Sequence, residues 1–180
     1  MPTYVAFLRA INLGSTRKFP KADIVAAVES TGATDVATYI NTGNVLLTSR
    51  LRSRSKVEAA LEQAFETDRG FAVPTIAFSP DEICAVADDA DELATAREIE
   101  GRHYVSLLKE APTQAGTKTI ESAGVNGERA VVRGRAVHLL LGDTYRDAGL
   151  GNATVEKALG VATNRNVTVI RAIAEKWCGR

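Results

Sequence analysis

The chain has 180 residues, with 22 basic and 22 acidic side chains, 45% apolar residues, two cysteines and two histidines. That is enough for one domain or two small ones with a self-sufficient core, and zero net charge excludes a global field that selects nucleic acid or membrane. No apolar run approaches the ~18 residues of a membrane span, the cysteines form no CxxC, and no basic segment precedes the first apolar stretch; together these point to a cytoplasmic protein without signal peptide, disulfide scaffold or thiolate metal site.

"TYVAFLRAI" (3–11) is β-branched and aromatic and reads as a strand. Pro20 suits the first turn of a helix that carries Ile24, Val25 and Val28 at helical spacing and stops by Gly32. "DVATYIN" and "NVLLTS" read as a hairpin. The next helix has Val57, Ala60, Leu61, Ala64 and Phe65 on one face, with Glu58, Glu62 and Glu66 on the solvated one, and ends by Gly70. "FAVPTIAF" is a fourth strand whose Pro74 cannot donate to a ladder, which favours an edge or a bulge. Residues 1–78 therefore read as a ferredoxin-like βαββαβ subdomain, one antiparallel sheet with both helices on one face.

Ser79, Pro80 and Glu82 make a capping box that opens a connecting helix, and the acidic "DDADELATAREIEGR" marks a boundary, so residues 79–101 read as a linker. Residues 102–180 follow as a second α+β subdomain. Its order reads as βαββαα: "HYVSLLK", "TQAGTKTIESAG", a hairpin turning near Gly134, "TVEKALG", and a closing helix over "TNRNVTVIRAIAEKWC" with Val167, Ile170, Ile173, Ala174 and Trp177 on one face. The fold class is α+β with two small subdomains. No sequence repeat between the halves argues for duplication.

Few residues invite proton or covalent chemistry. His103 and His138 lie in predicted strands without ligand spacing, and His138, between Val137 and Leu139, suits a hydrogen-bonded structural role. There is no GxSxG, and nothing calls for a metal or a cofactor. The loop "AINLGSTRKFPK" leaves a strand, enters a helix and carries Arg17, Lys18 and Lys21, so it reads either as an anion site or as a solvated loop. In Asn41-Thr42-Gly43-Asn44 a tight turn accounts for the glycine and one asparagine but does not demand both. Arg50, Arg52, Arg54 and Lys56 alternate as an extended segment presents them, suited to a phosphate backbone or to protecting an edge. Net charge runs +5 over residues 1–57, −10 over 58–100 and +5 over 101–180: a basic face against an acidic one, or acids solvating two helices. "NVLLTS" lacks the aromatics of an RNA-recognition strand.

"YVAFLRAINLG", "FPKADIVAAVESTGATDVATYINTGNVLLTS", "VEKALG" and "ATNRN" fall in an order that resembles the bacterial domain of unknown function 1697 family, from Met1 to about Ala172. The resemblance implies two small α+β subdomains and no established activity. It singles out Arg9, Asn12, Gly14, Asn41, Gly43, Asn44, Thr163, Arg165 and Asn166. Val167 stands where family members usually have Trp, and Ser15 where they have a second Gly.

Arginine and asparagine recognise anions and planar acceptors and rarely run proton chemistry unaided. The expectation is a protein that binds a phosphate-bearing small molecule or nucleic acid through Arg9, Asn12, Gly14, Lys18, Asn41, Gly43, Asn44, Arg165 and Asn166. Two alternatives stay open: an enzyme using Arg165 as electrophile, or motifs whose role is purely structural.

Overall fold

The computed structural model of the chain describes residues 1–95, 102–125, 127–141 and 149–179. The chain divides into two compact units, Met1–Glu82 and Ile83–Arg180. Part of the expected linker, residues 96–101, lies outside the described residues.

The first unit runs β1 (Thr3–Leu8), α1 (Lys21–Ser30), β2 (Thr34–Tyr39), β3 (Asn44–Thr48), α2 (Arg54–Arg69) and β4 (Thr75–Phe78). Its sheet has the order β2-β3-β1-β4 with every neighbouring pair antiparallel, the ferredoxin-like arrangement. Tyr4, Ala6, Leu8, Val45 and Leu47 point from the sheet into a core with Ile24 and Val28 of α1 and Leu61 and Phe65 of α2. Phe19 seals that core edge-on to Phe65, with ring centroids 5.2 Å apart.

Pro74 shortens what the apolar pattern of residues 71–78 suggests. Only Thr75–Phe78 pair, at the sheet edge, and the β1–β4 ladder ends at Leu8↔Thr75. An edge strand leaves every second N–H without a neighbour. Here α2 supplies the acceptors: Glu62 takes the Thr75 N–H at 2.8 Å and Glu58 takes the Ala77 N–H at 2.9 Å. The expectation that Glu58 faces solvent is corrected, since it is 1% exposed and spent on the sheet. The cation row is corrected as well. Arg54 and Lys56 belong to α2, and Arg54 sits 3.9 Å from Glu58, so only Arg50 and Arg52 stay in the preceding loop.

α3 (Pro80–Thr95) starts on the expected capping box, with Ser79 N–H donating to Glu82 at 2.7 Å and Glu82 N–H to Ser79 Oγ at 3.2 Å. Then come β5 (Arg102–Leu108), α4 (Gln114–Glu121), β6 (Arg129–Arg133), β7 (Ala136–Leu141), α5 (Asn152–Leu159), β8 (Ala162–Asn166) and α6 (Val167–Trp177). The second unit thus holds a strand, β8, where the sequence pattern predicts the start of the closing helix, and α6 begins only at Val167. "ATNRN" shows no apolar alternation, because its buried members are Ala162 and the polar Thr163 and Arg165. With β8 the second sheet has the order β6-β7-β5-β8, the same arrangement as the first. The edge device recurs too: Glu121 of α4 takes Val132 N–H at 2.9 Å, and Glu156 of α5 takes Ala162 N–H at 3.2 Å. No helix among the described residues is long and apolar enough to cross a membrane.

Candidate functional site

In the first unit the motif residues gather where β1 leaves the sheet. The loop doubles back as a small hairpin, with Asn12 N–H donating to Arg17 O at 2.9 Å and Thr16 N–H to Leu13 O at 3.0 Å. Ala10, Asn12 and Arg17 take φ of 57°, 52° and 51°, and Ile40 in the facing corner takes 51°. Left-handed backbone costs about 1–2 kcal/mol per non-glycine residue, so the surroundings must hold it. Arg17 does part of this: its Nε donates to Ala10 O and its Nη2 to Ala72 O, both at 2.5 Å, while the guanidinium stacks 4.5 Å from the Phe71 ring centroid. Lys18 Nζ donates to Gly14 O at 2.6 Å.

Asn12 ties this loop to the hairpin corner. Its Nδ2 donates to Phe19 O at 3.1 Å and Asn41 O at 2.9 Å, and its Oδ1 accepts Phe19 N–H at 2.8 Å. Asn44 is fully buried, and its Nδ2 donates to Tyr39 O at 2.9 Å and Thr42 Oγ1 at 3.0 Å. Gly43 is required twice over. Its φ is +76°, and a Cβ there would lie 2.7 Å from Leu8 Cβ and 2.8 Å from Ile11 Cδ1, while its carbonyl accepts Leu8 N–H at 2.8 Å. Asn12, Asn41, Gly43 and Asn44 therefore meet as a clasp between two loops. Arg9 is half-buried beside it, with its N–H on Pro74 O at 2.9 Å, and Gly14 is exposed at the hairpin tip.

Arg165 and Asn166 belong to the second unit, at the end of β8. Arg165 is 7% exposed, and its Nη1 donates to Thr163 Oγ1 at 2.9 Å and Asn164 O at 2.8 Å. Burial pulls its pKa down to about 10, which leaves it cationic at neutral pH. Asn166 is the N-cap of α6, its Oδ1 accepting Thr168 N–H at 2.9 Å and Thr168 Oγ1 at 2.8 Å.

Beside this helix start lies a cavity of about 290 Å³, lined by Ala94, Arg102, His103, Asn166, Val167, Thr168 and Arg171. Arg171 Nε is 2.7 Å from Asp91 Oδ1 on α3, and its two terminal nitrogens have no partner among the described residues. His103 is 8% exposed and meets His138, its Nε2 3.0 Å from His138 Nδ1. The register that pairs Val105 with His138 makes the two rings diagonal neighbours on one sheet face. Burial, then the Arg171 charge, lowers the His103 pKa to about 4 against the opposing pull of Asp91. Burial, then His103 and Arg133, lowers that of His138 to about 3. Both rings are neutral at pH 7 and share one N–H. Among the described residues, His138 Nε2 is buried without a partner. A bare acceptor there costs less than an unpaired N–H, which favours His138 Nδ1 as the donor to His103.

Residues 1–138 match the family described as "Protein of unknown function (DUF1697)". The chain belongs to this family. Among solved structures it is similar to the conserved bacterial protein SP0830 from Streptococcus pneumoniae, with 20% identity, a TM-score of 0.72 and 97% of each chain covered. At that identity the likeness speaks for the fold. A comparison with curated proteins finds no match.

The DUF1697 match takes in the whole clasp and stops at His138, short of Arg165, Asn166 and Arg171. Of the residues expected from the sequence to bind the ligand, Asn166 lines the cavity and the others do not. Arg102, Thr168 and Arg171 carry no signal in the sequence because no spacing joins them, and His103 shows no ligand spacing there. Strand register and the start of α6 bring them together.

Proposed function

We propose that this DUF1697 protein binds a small anionic ligand, a phosphate-bearing metabolite, in the second-unit cavity at the start of α6. The observation that carries this reading is that Arg102, Arg171, Thr168 and Asn166 line one cavity of about 290 Å³. Guanidinium groups match phosphate oxygens with paired donors, and the first turn of a helix adds the positive end of its dipole. His103, neutral at pH 7, adds a polar wall without a like charge to oppose Arg171. The volume suits a small metabolite.

The first-unit residues fit a different part in this reading. The Asn12 and Asn44 carboxamides and the Arg17 and Lys18 cations are occupied by backbone carbonyls, which suits a clasp that shapes the loop. Arg165, buried against Thr163 and Asn164, supports the strand from which Asn166 and α6 start.

The test is a thermal-shift series with inorganic phosphate, sulfate and phosphate monoesters on the wild type and on Arg171→Ala. The reading expects stabilisation of the wild type that is lost in the variant. Absence of any anion effect on the wild type would overturn it. An oligonucleotide that outcompetes the monoesters, with affinity falling steeply with salt, would move the reading to nucleic acid.

A further inference from the structure

The two cysteines lie 94 positions apart in sequence, one on α3 and one just past α6, yet the fold brings them together. Cys84 sits on α3, and its Sγ donates to the backbone carbonyl of Cys178 at 3.2 Å. Cys178 follows the last residue of α6 as its C-cap and directs its own Sγ to Ile173 O at 3.8 Å. Both are thiols outside any disulfide, of intermediate burial. Standard bond lengths then hold the two sulfurs to within roughly 8 Å, although their final approach to about 2 Å needs a change of rotamer and a small backbone shift. The backbone just past α6 supplies that freedom: Cys178 is its C-cap and is followed by Gly179 at φ 74°.

We propose that Cys84 and Cys178 form a reversible intramolecular disulfide that joins α3 to the carboxyl end of α6, with a small-molecule disulfide as oxidant. One protein thiolate attacks the oxidant and expels one thiol, giving a mixed disulfide. The second thiolate attacks the protein sulfur of that intermediate and expels the other thiol. Two protein S–H bonds and one oxidant S–S bond become one protein S–S bond and two oxidant thiols, a two-electron exchange. The bond adds a covalent link where Arg171 of α6 already meets Asp91 of α3 at 2.7 Å. A disulfide of this kind in a reducing compartment senses redox state rather than serving as permanent scaffold. The inference does not depend on the anion site.

The experiment equilibrates the full chain with reduced and oxidised glutathione, in native buffer and again in urea. Thiol titration and mass spectrometry read the products. The expected native product has lost both free thiols and two hydrogens, and digestion links the Cys84 and Cys178 peptides. Its formation constant should exceed that in urea by at least tenfold, because the fold concentrates the second thiol near the first. By linkage the oxidised protein should melt at a higher temperature than the reduced one, and Cys84→Ser or Cys178→Ser should stop at a single mixed disulfide. A native constant equal to or below the urea value, or products confined to mixed disulfides and dimers, would overturn the proposal.

Discussion

The Glu58 carboxylate, 1% exposed on α2, accepts the backbone N–H of Ala77 on edge strand β4 at 2.9 Å. Helix side chain and strand backbone thereby close an edge that would otherwise present free donors. Glu58→Ala leaves the buried Ala77 N–H unsatisfied and should destabilise the protein by about 1–3 kcal/mol. Glu58→Gln keeps an acceptor at the same place and should lose much less. Urea unfolding of both variants checks the order; an alanine variant as stable as the glutamine variant would count against the role.

Gly43 and Gly14 both have positive φ, yet only Gly43 is crowded. Gly14→Ala should cost about 1–2 kcal/mol, the left-handed penalty alone. Gly43→Ala adds a Cβ 2.7 Å from Leu8 Cβ and should cost clearly more, by about 1–3 kcal/mol. Equal losses in thermal unfolding would refute the steric account.

Asn12 holds Phe19 and Asn41 through three hydrogen bonds. Asn12→Ala should loosen the loop before it unfolds the unit, so hydrogen exchange at the Phe19 amide should speed up more than tenfold while the central β1 amides barely change. Uniform acceleration would show that Asn12 acts on global stability only.

His103 and His138 have folded pKa values of about 4 and about 3, below the ordinary value of 6.5. Below pH 6.5 the unfolded chain binds protons that the folded one refuses. Stability therefore falls as pH drops from 6.5 toward 4, with the His138 contribution continuing toward 3. The steepest loss approaches about 2.7 kcal/mol per pH unit if both rings titrate together. Denaturant unfolding at several pH values, compared with His138→Leu, checks this; an unchanged acid limb in the variant would exclude the pair. If an anion occupies the neighbouring cavity, it should raise the His103 pKa, readable by NMR titration.

The first unit was legible from local pattern because its elements carry their own signals. β-Branched and aromatic residues marked β1, the turn at Asn41–Asn44 marked the β2–β3 hairpin, a helical stripe marked α2, and Ser79 with Glu82 marked the start of α3. Gly43 was legible as a turn, but the reason no other residue fits there lies in Leu8 and Ile11, which only the packed loop brings near. β8 was not legible, because a strand whose buried members are Ala162, Thr163 and Arg165 shows no hydrophobic period; the Arg165 side chain finds Thr163 Oγ1 and Asn164 O only in the folded strand.

Periodicity and capping are local, so the chain alone determined the α+β class, the ferredoxin-like order of its first half and the polar character of its motifs. The fate of each polar group depends on partners distant in sequence. Tertiary structure therefore decided that Asn12 and Asn44 hold backbone, that Glu58 closes an edge, that His103 meets His138, and that Arg102 and Arg171 share a cavity.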